Sequence, residues 1–405
     1  MDAAPASSAY TNAPGRFHPA RLLNDSYTKE RNMLPEERDT SNPTPVAEPP
    51  AQAAEPAPQT QNLSIQTPFS QERYSRQTLF PGIGQDGQQK LARAHIALVG
   101  CGATGAAAAS LLARAGVGTL TLIDRDFVEE SNLQRQVLFD ESDVRDALPK
   151  AEAARRKIAL FNSEIKIHDH VADLTPANIH ELLVDSALVL DATDNFETRY
   201  LLNDYAVEQR KPWIYSAAVG AYAVTMNILP EETACLACIF PEAPGGAVET
   251  CDTAGILNSA VNLAASIAVT EAMKYVSGAG SKLRRTLLSC DLWSNEWSEV
   301  STSAPRAGCQ VCGRRDFRHL RGEGRPHITL CGRNSVQIHE HSRPVDLTAM
   351  AARLAPHGKV RSNSMLLRFE RGDYVLTLFA DGRAIVQGTT DVAQARSLYA
   401  RFIGS

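Results

Sequence analysis

A glycine-rich turn followed by an acidic residue gives this sequence a candidate nucleotide site. The turn runs Gly100-Cys-Gly102-Ala-Thr-Gly105 between an apolar segment and a run of small residues. Its glycines permit a tight turn, close approach of the backbone to phosphate and packing of a helix against a sheet, and the helix start can bind the anion. Asp124 ends the next apolar segment, where a carboxylate can accept hydrogen bonds from a ribose. The pattern does not separate NAD from ATP, because both carry a ribose and phosphates.

Two cations and several amides follow Asp124 where a dehydrogenase would have no need for them. They lie in the segments Asn132-Leu-Gln-Arg135-Gln136 and Pro149-Lys150. Isolated arginine and lysine side chains usually belong to a solvated surface, but positive charge beside a nucleotide suits a triphosphate. These residues favour ATP. An NAD-dependent oxidoreductase remains the alternative that would leave them without a clear purpose.

Four of the eight cysteines form two pairs with metal-ligand spacing, Cys235-x-x-Cys238 and Cys309-x-x-Cys312. Four thiolates make a closed tetrahedral Zn²⁺ site with no open coordination position, so we expect a structural metal rather than a catalytic one. Redox chemistry is the alternative for a Cys-x-x-Cys pair, and the presence of two such pairs in one domain argues against it.

Composition limits the classes of protein to consider. The 405 residues are enough for two or three domains, and the net charge of −5 gives no overall attraction to nucleic acid or to an anionic membrane. The first ten residues do not resemble a secretory signal, and no apolar run is long enough for a membrane span. Cysteines in metal-binding pairs favour a reducing compartment, so we expect a cytoplasmic protein.

The distribution of proline and of apolar residues divides the chain into three segments. Residues 1–68 hold 11 of the 22 prolines and lack apolar periodicity, so we expect a disordered tail, with a partner-binding extension as the alternative. In residues 69–318 predicted strands and helices alternate, which indicates an α/β fold with a mostly parallel, Rossmann-like sheet. The strands include His95–Val99, Thr119–Asp124, Glu164–His168 and Ala187–Leu190, and the helices Ala103–Ala115, Ala151–Phe161, Phe196–Glu208 and Leu257–Tyr275.

Residues 323–405 form a smaller predicted α+β unit. Its pattern gives strands at Ile328–Leu330 and Val336–Ile338, a helix at Leu347–Leu354, a hairpin turned by Asp381-Gly382 and a closing helix at Ala393–Phe402. The unit contains no catalytic constellation, and its role stays open.

Taken together, these motifs resemble the ThiF, MoeB and HesA enzymes, which are relatives of the ubiquitin-activating E1 adenylation domain. The resemblance covers about residues 71–315. The motifs that carry it are Arg73-Tyr-Ser-Arg76-Gln77, the glycine turn, Ser131-Asn-Leu-Gln-Arg135-Gln136, Pro149-Lys150, Asp191-Ala-Thr-Asp194-Asn195 and the two cysteine pairs. The chain departs from the family at Ala103, where many relatives have glycine; a methyl group fits there if the backbone stays right-handed.

The resemblance implies a role for each matching residue. It implies that Asp124 holds the ATP ribose, that Asn132, Arg135 and Lys150 contact phosphates, and that Asp194 organises Mg²⁺. The full nucleotide-binding set that it implies is Gly100, Gly102, Ala103, Gly105, Asp124, Ser131, Asn132, Gln134, Arg135, Gln136, Lys150, Asp194 and Asn195. The implied catalytic set is Arg76, Arg135, Lys150, Asp194 and Cys251.

Two of these residues imply partners. Arg76 resembles the arginine that family dimers send into the neighbouring subunit's ATP site, which implies a homodimer. Cys251 falls where the family places a cysteine that can be linked to its carrier protein, and an ordinary loop cysteine is the alternative.

The activity implied by the resemblance is adenylation of a protein tail. These enzymes join AMP to the C-terminal glycine carboxylate of a ubiquitin-like sulfur carrier ending in Gly-Gly, in thiamine, molybdopterin or similar pathways, and release pyrophosphate. The C-terminal unit shows no rhodanese-type cysteine loop, so a sulfur donor in trans is expected. Alternatives are a related ATP-dependent enzyme that acts on tRNA or a peptide and a non-catalytic scaffold. The acidic balance argues weakly against tRNA, and the intact charged residues argue against a scaffold.

Overall fold

The computed structural model describes residues 70–242, 254–323, 329–330, 335–338, 345–362, 366–380, 382 and 384–404. From residue 68 onward the chain forms one compact unit, and this unit contains two separate sheets. The tail predicted over residues 1–68, Cys251 and the turn residue Asp381 lie outside the described residues.

The first sheet has eight strands and confirms the predicted α/β class. In chain order they are β1 (His95–Val99), β2 (Thr119–Ile123), β3 (Lys166–His170), β4 (Leu188–Asp191), β5 (Trp213–Val219), β6 (Tyr222–Ile228), β7 (Thr286–Asp291) and β8 (Glu296–Ser301). Their order across the sheet is β3-β2-β1-β4-β5-β6-β7-β8. The pairings from β3 to β5 are parallel, and those from β5 to β8 are antiparallel. The apolar runs of β1 and β2 are buried because helices cover both faces of a parallel sheet.

The four predicted helices of this part begin and end close to their predicted bounds, and five shorter helices within the described residues were not predicted. In chain order the helices are α1 (Ser75–Thr78), α2 (Gly84–Arg93), α3 (Ala103–Ala115), α4 (Glu141–Arg145), α5 (Lys150–Phe161), α6 (Ile179–Leu183), α7 (Phe196–Gln209), α8 (Leu236–Ile239) and α9 (Asn258–Ser277). The alanines of α3 pack against α9, where Ala264, Ala265 and Ala268 are fully buried. Small side chains on both helices permit this close approach, and α3 begins just after the carboxyl end of β1.

The strand order creates a crevice at the ends of β1 and β4. These strands are neighbours, yet the chain leaves β1 toward β2 on one side, while β4 continues toward β5 on the other. The carboxyl ends of β1, β2 and β4 therefore meet beside the glycine turn. Ligands of open α/β sheets bind in such a crevice.

The second sheet has six antiparallel strands, two of which the sequence analysis does not predict. The strands are β9 (Thr329–Leu330), β10 (Ser335–Ile338), β11 (Lys359–Ser362), β12 (Leu366–Arg371), β13 (Tyr374–Phe379) and β14 (Ala384–Gln387), in the order β11-β12-β13-β14-β10-β9. The unpredicted strands are β11, which is short and polar, and β12, whose Leu-Leu-Arg-Phe-Glu-Arg pattern does not alternate cleanly. Two helices, α10 (Leu347–Leu354) and α11 (Val392–Phe402), begin at aspartate N-caps.

One buried carboxylate joins α7 to the chain that follows the second cysteine pair. Asp204 Oδ2 accepts hydrogen bonds from the backbone N–H groups of His319 (2.8 Å) and Leu320 (3.3 Å). Its Oδ1 atom has no hydrogen-bond partner among the described residues. Burial raises the pKa of Asp204 to about 7.

We expect Asp204 to make stability decrease with rising pH. The carboxyl group titrates near pH 3.9 in an unfolded chain, so between about pH 4 and 7 only the folded state holds this proton. Stability should fall as pH rises through that window. Asp204→Asn cannot ionise and should be more stable than the wild type at pH 8 by about 1–3 kcal/mol, the usual cost of an unsatisfied buried polar group.

Urea unfolding at pH 5.5 and pH 8 measures this difference, with exposed Asp146→Asn as the control. Equal pH slopes for the wild type and Asp204→Asn would show that Asp204 does not titrate in this window.

Candidate functional site

Glycine stands at the three positions of the turn for different structural reasons. Gly100 has a φ of +91°, and a Cβ atom there would lie 2.6 Å from the carbonyl oxygen of Ala192. A Cβ atom at Gly105 would collide with the backbone oxygen of Gly100. At Gly102 the nearest atom to a Cβ would be Nε2 of Gln136, at 4.0 Å. Packing therefore requires the outer glycines, and the middle one leaves open space before the start of α3.

Ala103 is the first residue of α3 and is accommodated as the sequence analysis expects. Gly102 stands at the N-cap, and its carbonyl oxygen accepts a hydrogen bond from the N–H of Ala106 at 2.8 Å. The backbone at residue 103 is thus right-handed and helical, which admits a methyl group without strain. The first N–H groups of a helix have no partner within the helix, so the start of α3 can donate to an anion.

Asp124 ties the glycine turn to the end of β2. Its Oδ2 atom accepts a hydrogen bond from the N–H of Cys101 at 2.6 Å, and its Oδ1 atom from the N–H of Asp126 at 2.7 Å. Burial raises the pKa of Asp124, and the nearby Lys150 ammonium opposes this shift. Each carboxylate oxygen has a second lone pair, so both can still accept a hydrogen bond from a ligand hydroxyl.

Lys150 is buried beside a carboxylate that sequence reasoning missed. Its side chain is 3% exposed, and Nζ lies 3.3 Å from Oδ2 of Asp126. Lys150 is also the first residue of α5, and its N–H donates to the carbonyl oxygen of Asp126 at 2.8 Å. A buried ammonium needs such a partner. The sequence offered one signal for this contact. A second acidic residue, Asp126, lies two positions after Asp124, just beyond a predicted strand.

The segment after β2 brings a second set of polar groups to the crevice. Asn132 is buried, and its Oδ1 atom accepts a hydrogen bond from the N–H of Glu129 at 3.1 Å. Arg135 is half-buried and donates from Nη1 to the carbonyl oxygen of Ser131 at 2.7 Å. Gln136 is 3% exposed, and its Oε1 atom has no hydrogen-bond partner among the described residues. Because Gln136 faces Gly102, the turn and this segment border the same space.

Gln134 makes a contact through its backbone carbonyl group and not through its side chain. Its carbonyl oxygen accepts a hydrogen bond from Nδ2 of Asn258, at 3.3 Å, near the start of α9. The side chain is exposed, as is that of Ser131. The contact links the polar segment after β2 to α9.

A buried ion pair shapes the turn that follows β4. Oδ2 of Asp191 lies 3.2 Å from Nε of Arg199, and Oδ1 accepts hydrogen bonds from the N–H and the hydroxyl of Thr193. Arg199 also donates from Nη2 to the carbonyl oxygen of Thr193 at 2.5 Å. Burial raises the pKa of Asp191, and Arg199 opposes the shift. Arg199 was not identified from the sequence. Its partner Asp191 gave the only signal, as an acidic residue at the end of an apolar strand.

Of the remaining predicted residues, Asp194 and Arg76 are exposed and Asn195 caps a helix. Asp194 is exposed, and Asn195 is the N-cap of α7, where its Oδ1 atom accepts the N–H of Thr198 at 2.8 Å. Asn195 therefore has a helix-capping role in this structure. Arg76 is exposed on α1, and within the described residues it makes no hydrogen bond or ion pair with the groups of the crevice.

The four cysteines of the two pairs come together as one cluster. Their sulfur atoms all lie within 4.8 Å of one another. The Cys235–Cys238, Cys235–Cys309 and Cys238–Cys312 sulfur distances are 3.8, 3.7 and 3.4 Å. Zinc–sulfur bonds of about 2.3 Å place tetrahedral ligands about 3.8 Å apart, so the cluster has the dimensions of a four-thiolate site.

The surroundings of the cluster also suit a structural metal. Cys235, Cys238 and Cys309 are buried, and the N–H of Arg306 donates to the sulfur of Cys238 at 3.3 Å. A hydrogen bond with the Cys235 thiol lowers the pKa of Cys309 to about 6. The cluster joins the start of α8 to the chain after β8, beside the buried face of α7.

Comparisons with known proteins identify the relatives of this chain. The model of the ThiF family matches residues 74–311. A sulfur carrier protein ThiS adenylyltransferase from Bacillus subtilis is 45% identical over 337 residues, which are 82% of this chain and 99% of that protein. A SAMP-activating enzyme E1 from Haloferax volcanii is 37% identical over 60% of this chain and 88% of its own length.

A comparison of folds gives the same architecture. The crystal structure of E. coli MccB with MccA-N7isoASN superposes with a TM-score of 0.54 at 24% identity, over 60% of this chain and 75% of that one. The likeness confirms the fold expected from the sequence. The Bacillus protein aligns over more residues than the segment 74–311 contains, so its similarity extends beyond the family segment.

Gly105 and Gly102 permit a matched test, because a methyl group at the first would disturb packing and one at the second would enter the space for a ligand. Gly105→Ala forces a methyl group against the Gly100 carbonyl and should lower the free energy of unfolding by about 1–3 kcal/mol or more. Gly102→Ala places its methyl group in open space and should leave stability within about 0.5 kcal/mol of the wild type while weakening nucleotide binding. Urea unfolding and nucleotide titration of both variants distinguish the two effects. A destabilised Gly102→Ala protein would contradict the assignment.

Proposed function

Because the chain belongs to the ThiF family, we propose that it is an ATP-dependent adenylyltransferase that activates the C-terminal glycine carboxylate of a ubiquitin-like sulfur carrier. The product is an acyl-adenylate, and pyrophosphate is released. The relatives named as sulfur carrier adenylyltransferase and SAMP-activating enzyme support this reaction class, and the Bacillus protein aligns over nearly its whole length.

The observation that carries the proposal is the meeting of the glycine turn, Asp124 and Lys150 at one crevice. The start of α3 offers N–H groups to phosphate, and Asp124 offers carboxylate oxygens to a ribose hydroxyl. Lys150 and Arg135 supply positive charge beside them. This combination fits a triphosphate better than a dinucleotide, since a dinucleotide does not develop charge on a leaving pyrophosphate.

In the proposed reaction, a carboxylate oxygen of the carrier attacks the α-phosphorus of ATP and the bond to pyrophosphate breaks. The nucleophile is already ionised at neutral pH, so no side chain has to remove a proton. The work of the site is to align the reactants and to neutralise charge. Asn132 and Gln136 orient the phosphates, and Arg135 and Lys150 offset the charge that develops on them.

A magnesium ion would be held near the turn after β4, with Asp194 as the ligand from this chain. Its chemistry when bound is to shield phosphate charge. Asp194 is exposed at the open side of the turn, and the Asp191–Arg199 pair fixes the backbone that carries it. Asn195 would line the nucleotide from its capping position.

The proposed enzyme is a homodimer in which Arg76 completes the partner's site. Arg76 is exposed, and Leu79 and Phe80, on the same short segment, are 71% and 63% exposed. Large apolar side chains beside an exposed arginine suit a protein interface. The carrier would end in Gly-Gly, and a separate donor would provide sulfur.

A covalent role for Cys251 remains part of this proposal. Cys251→Ala should retain adenylation, because the thiol takes no part in attack on the α-phosphorus. It should lose the carrier adduct, which forms when the Cys251 sulfur attacks the glycine carbonyl of the acyl-adenylate and AMP leaves. Mass spectrometry of the protein after incubation with carrier and MgATP measures the adduct. Unchanged adduct formation in the variant would remove this role.

ATP–pyrophosphate exchange with a panel of Gly-Gly-ended carriers tests the reaction itself. The wild type should catalyse exchange with at least one carrier. Arg135→Ala should slow it by about 10²- to 10³-fold, the usual loss for one preorganised charge. Arg145→Ala, an exposed arginine of α4, is the control and should keep wild-type exchange. Absence of exchange with every carrier, together with NAD binding, would overturn the proposal.

The cysteine cluster is proposed to bind one structural Zn²⁺ through Cys235, Cys238, Cys309 and Cys312. Elemental analysis should give about one zinc per chain. Cys309→Ala should lose the metal and unfold more easily, because structural zinc supplies roughly 10–16 kcal/mol of binding energy in isolated modules. Cys290→Ala, a buried cysteine outside the cluster, should keep its zinc. A wild-type protein that contains no zinc, and whose stability does not change when zinc is added, would contradict the assignment.

A further inference from the structure

The C-terminal sheet is buried on both faces, and the two faces meet different parts of the protein. Leu367 and Phe369 of β12 belong to the core that contains residues of α10 and α11. Leu366, one residue away, belongs to another cluster with Phe379 and Ile385, on the opposite face. The fourth buried member of that cluster is Phe127, from the segment just after β2. The second face of this sheet therefore packs against the rim of the crevice.

Phe127 belongs to the chain segment that holds Lys150 in place. It follows Asp126, whose carboxylate pairs with the Lys150 ammonium. Phe127 forms a bridge with Pro149, flanked by hydrogen bonds from the N–H of Val128 to Leu148 and from the N–H of Lys150 to Asp126. The C-terminal sheet thus packs on the residue that fixes the register of Asp126 against Lys150.

Arg368 makes the polar contact between the same two parts. Its Nη1 atom lies 3.2 Å from Oε1 of Glu129, and its guanidinium carbon lies 4.9 Å from the centre of the Phe127 ring. Glu129 is the N-cap of the 3-10 turn Glu130–Asn132. The N–H of Glu129 donates to Oδ1 of Asn132, so this contact leads directly to a residue of the crevice.

We propose that Arg368 is a positioning residue for the nucleotide site. It acts through Glu129 and Phe127, which hold the segment between Asp124 and Arg135 in its binding conformation. The inference rests on the proposed function, because it takes the ligand of that segment to be MgATP. An anchored segment binds more tightly than a free one, since its ordering entropy is lost before the ligand arrives.

Isothermal titration of MgATP, in the absence of any carrier, tests this inference on the full chain. Arg368→Met keeps the aliphatic stem over Phe127 and removes the charge, and should weaken ATP binding by about 2- to 30-fold. Arg368→Lys keeps a charge and should recover part of the affinity. Arg371→Met is the matched control, because Arg371 ends the same strand, is exposed and lies over the ring of Phe402.

A double-mutant cycle separates positioning from a general loss of stability. Glu129→Gln should weaken ATP binding to a similar degree, and its combination with Arg368→Met should add little, because both variants break the same contact. In exchange assays the KM for ATP should rise while kcat changes little. An Arg368→Met protein with wild-type affinity, or with a change confined to its unfolding midpoint, would overturn the inference while leaving the proposed function intact. A wild type that binds no MgATP would instead overturn the proposed function, and with it this inference.

Discussion

The site depends on one steric constraint, the close approach of the glycine turn to the ends of neighbouring strands. At Gly100 the backbone passes so near the Ala192 carbonyl that no side chain fits, and at Gly105 the helix lies against the oxygen of Gly100. The N–H of Cys101, within the turn, can then donate a hydrogen bond to the carboxylate of Asp124. Three strand ends are brought within reach of one ligand by this contact, and the other polar groups of the crevice are arranged around it.

Around that turn, two buried charged side chains each have a partner of opposite charge. Lys150 faces Asp126, and Asp191 faces Arg199. A buried charge is tolerated when its counter-charge and hydrogen bonds are in place, and removal of one partner is strongly destabilising. Paired charges also need little rearrangement when a charged substrate enters. The same pairs thus serve the stability of the crevice and the electrostatic demands of phosphate chemistry.

Sequence reasoning predicted most of the elements and fewer of the contacts. Strand β1, helix α3 and helix α10 have their predicted bounds, because each has a run of apolar or small residues with clear ends. Strands β11 and β12 were missed because their polar residues face solvent or another part of the chain, so neither shows simple alternation. Asp126 and Arg199 were missed for a related reason. Their partners are distant in sequence or are recognised only when burial is known.

The sequence by itself determined the fold class, the presence of a nucleotide-type glycine turn and the grouping of four cysteines. These follow from local spacing, because a glycine turn, a strand period or a Cys-x-x-Cys pair is defined within a few residues. Only the tertiary structure decided that Asp126 holds Lys150 and that Arg368 of the second sheet meets Glu129. Such contacts join residues across separate elements, and they depend on burial and on the order of strands, which no local pattern contains.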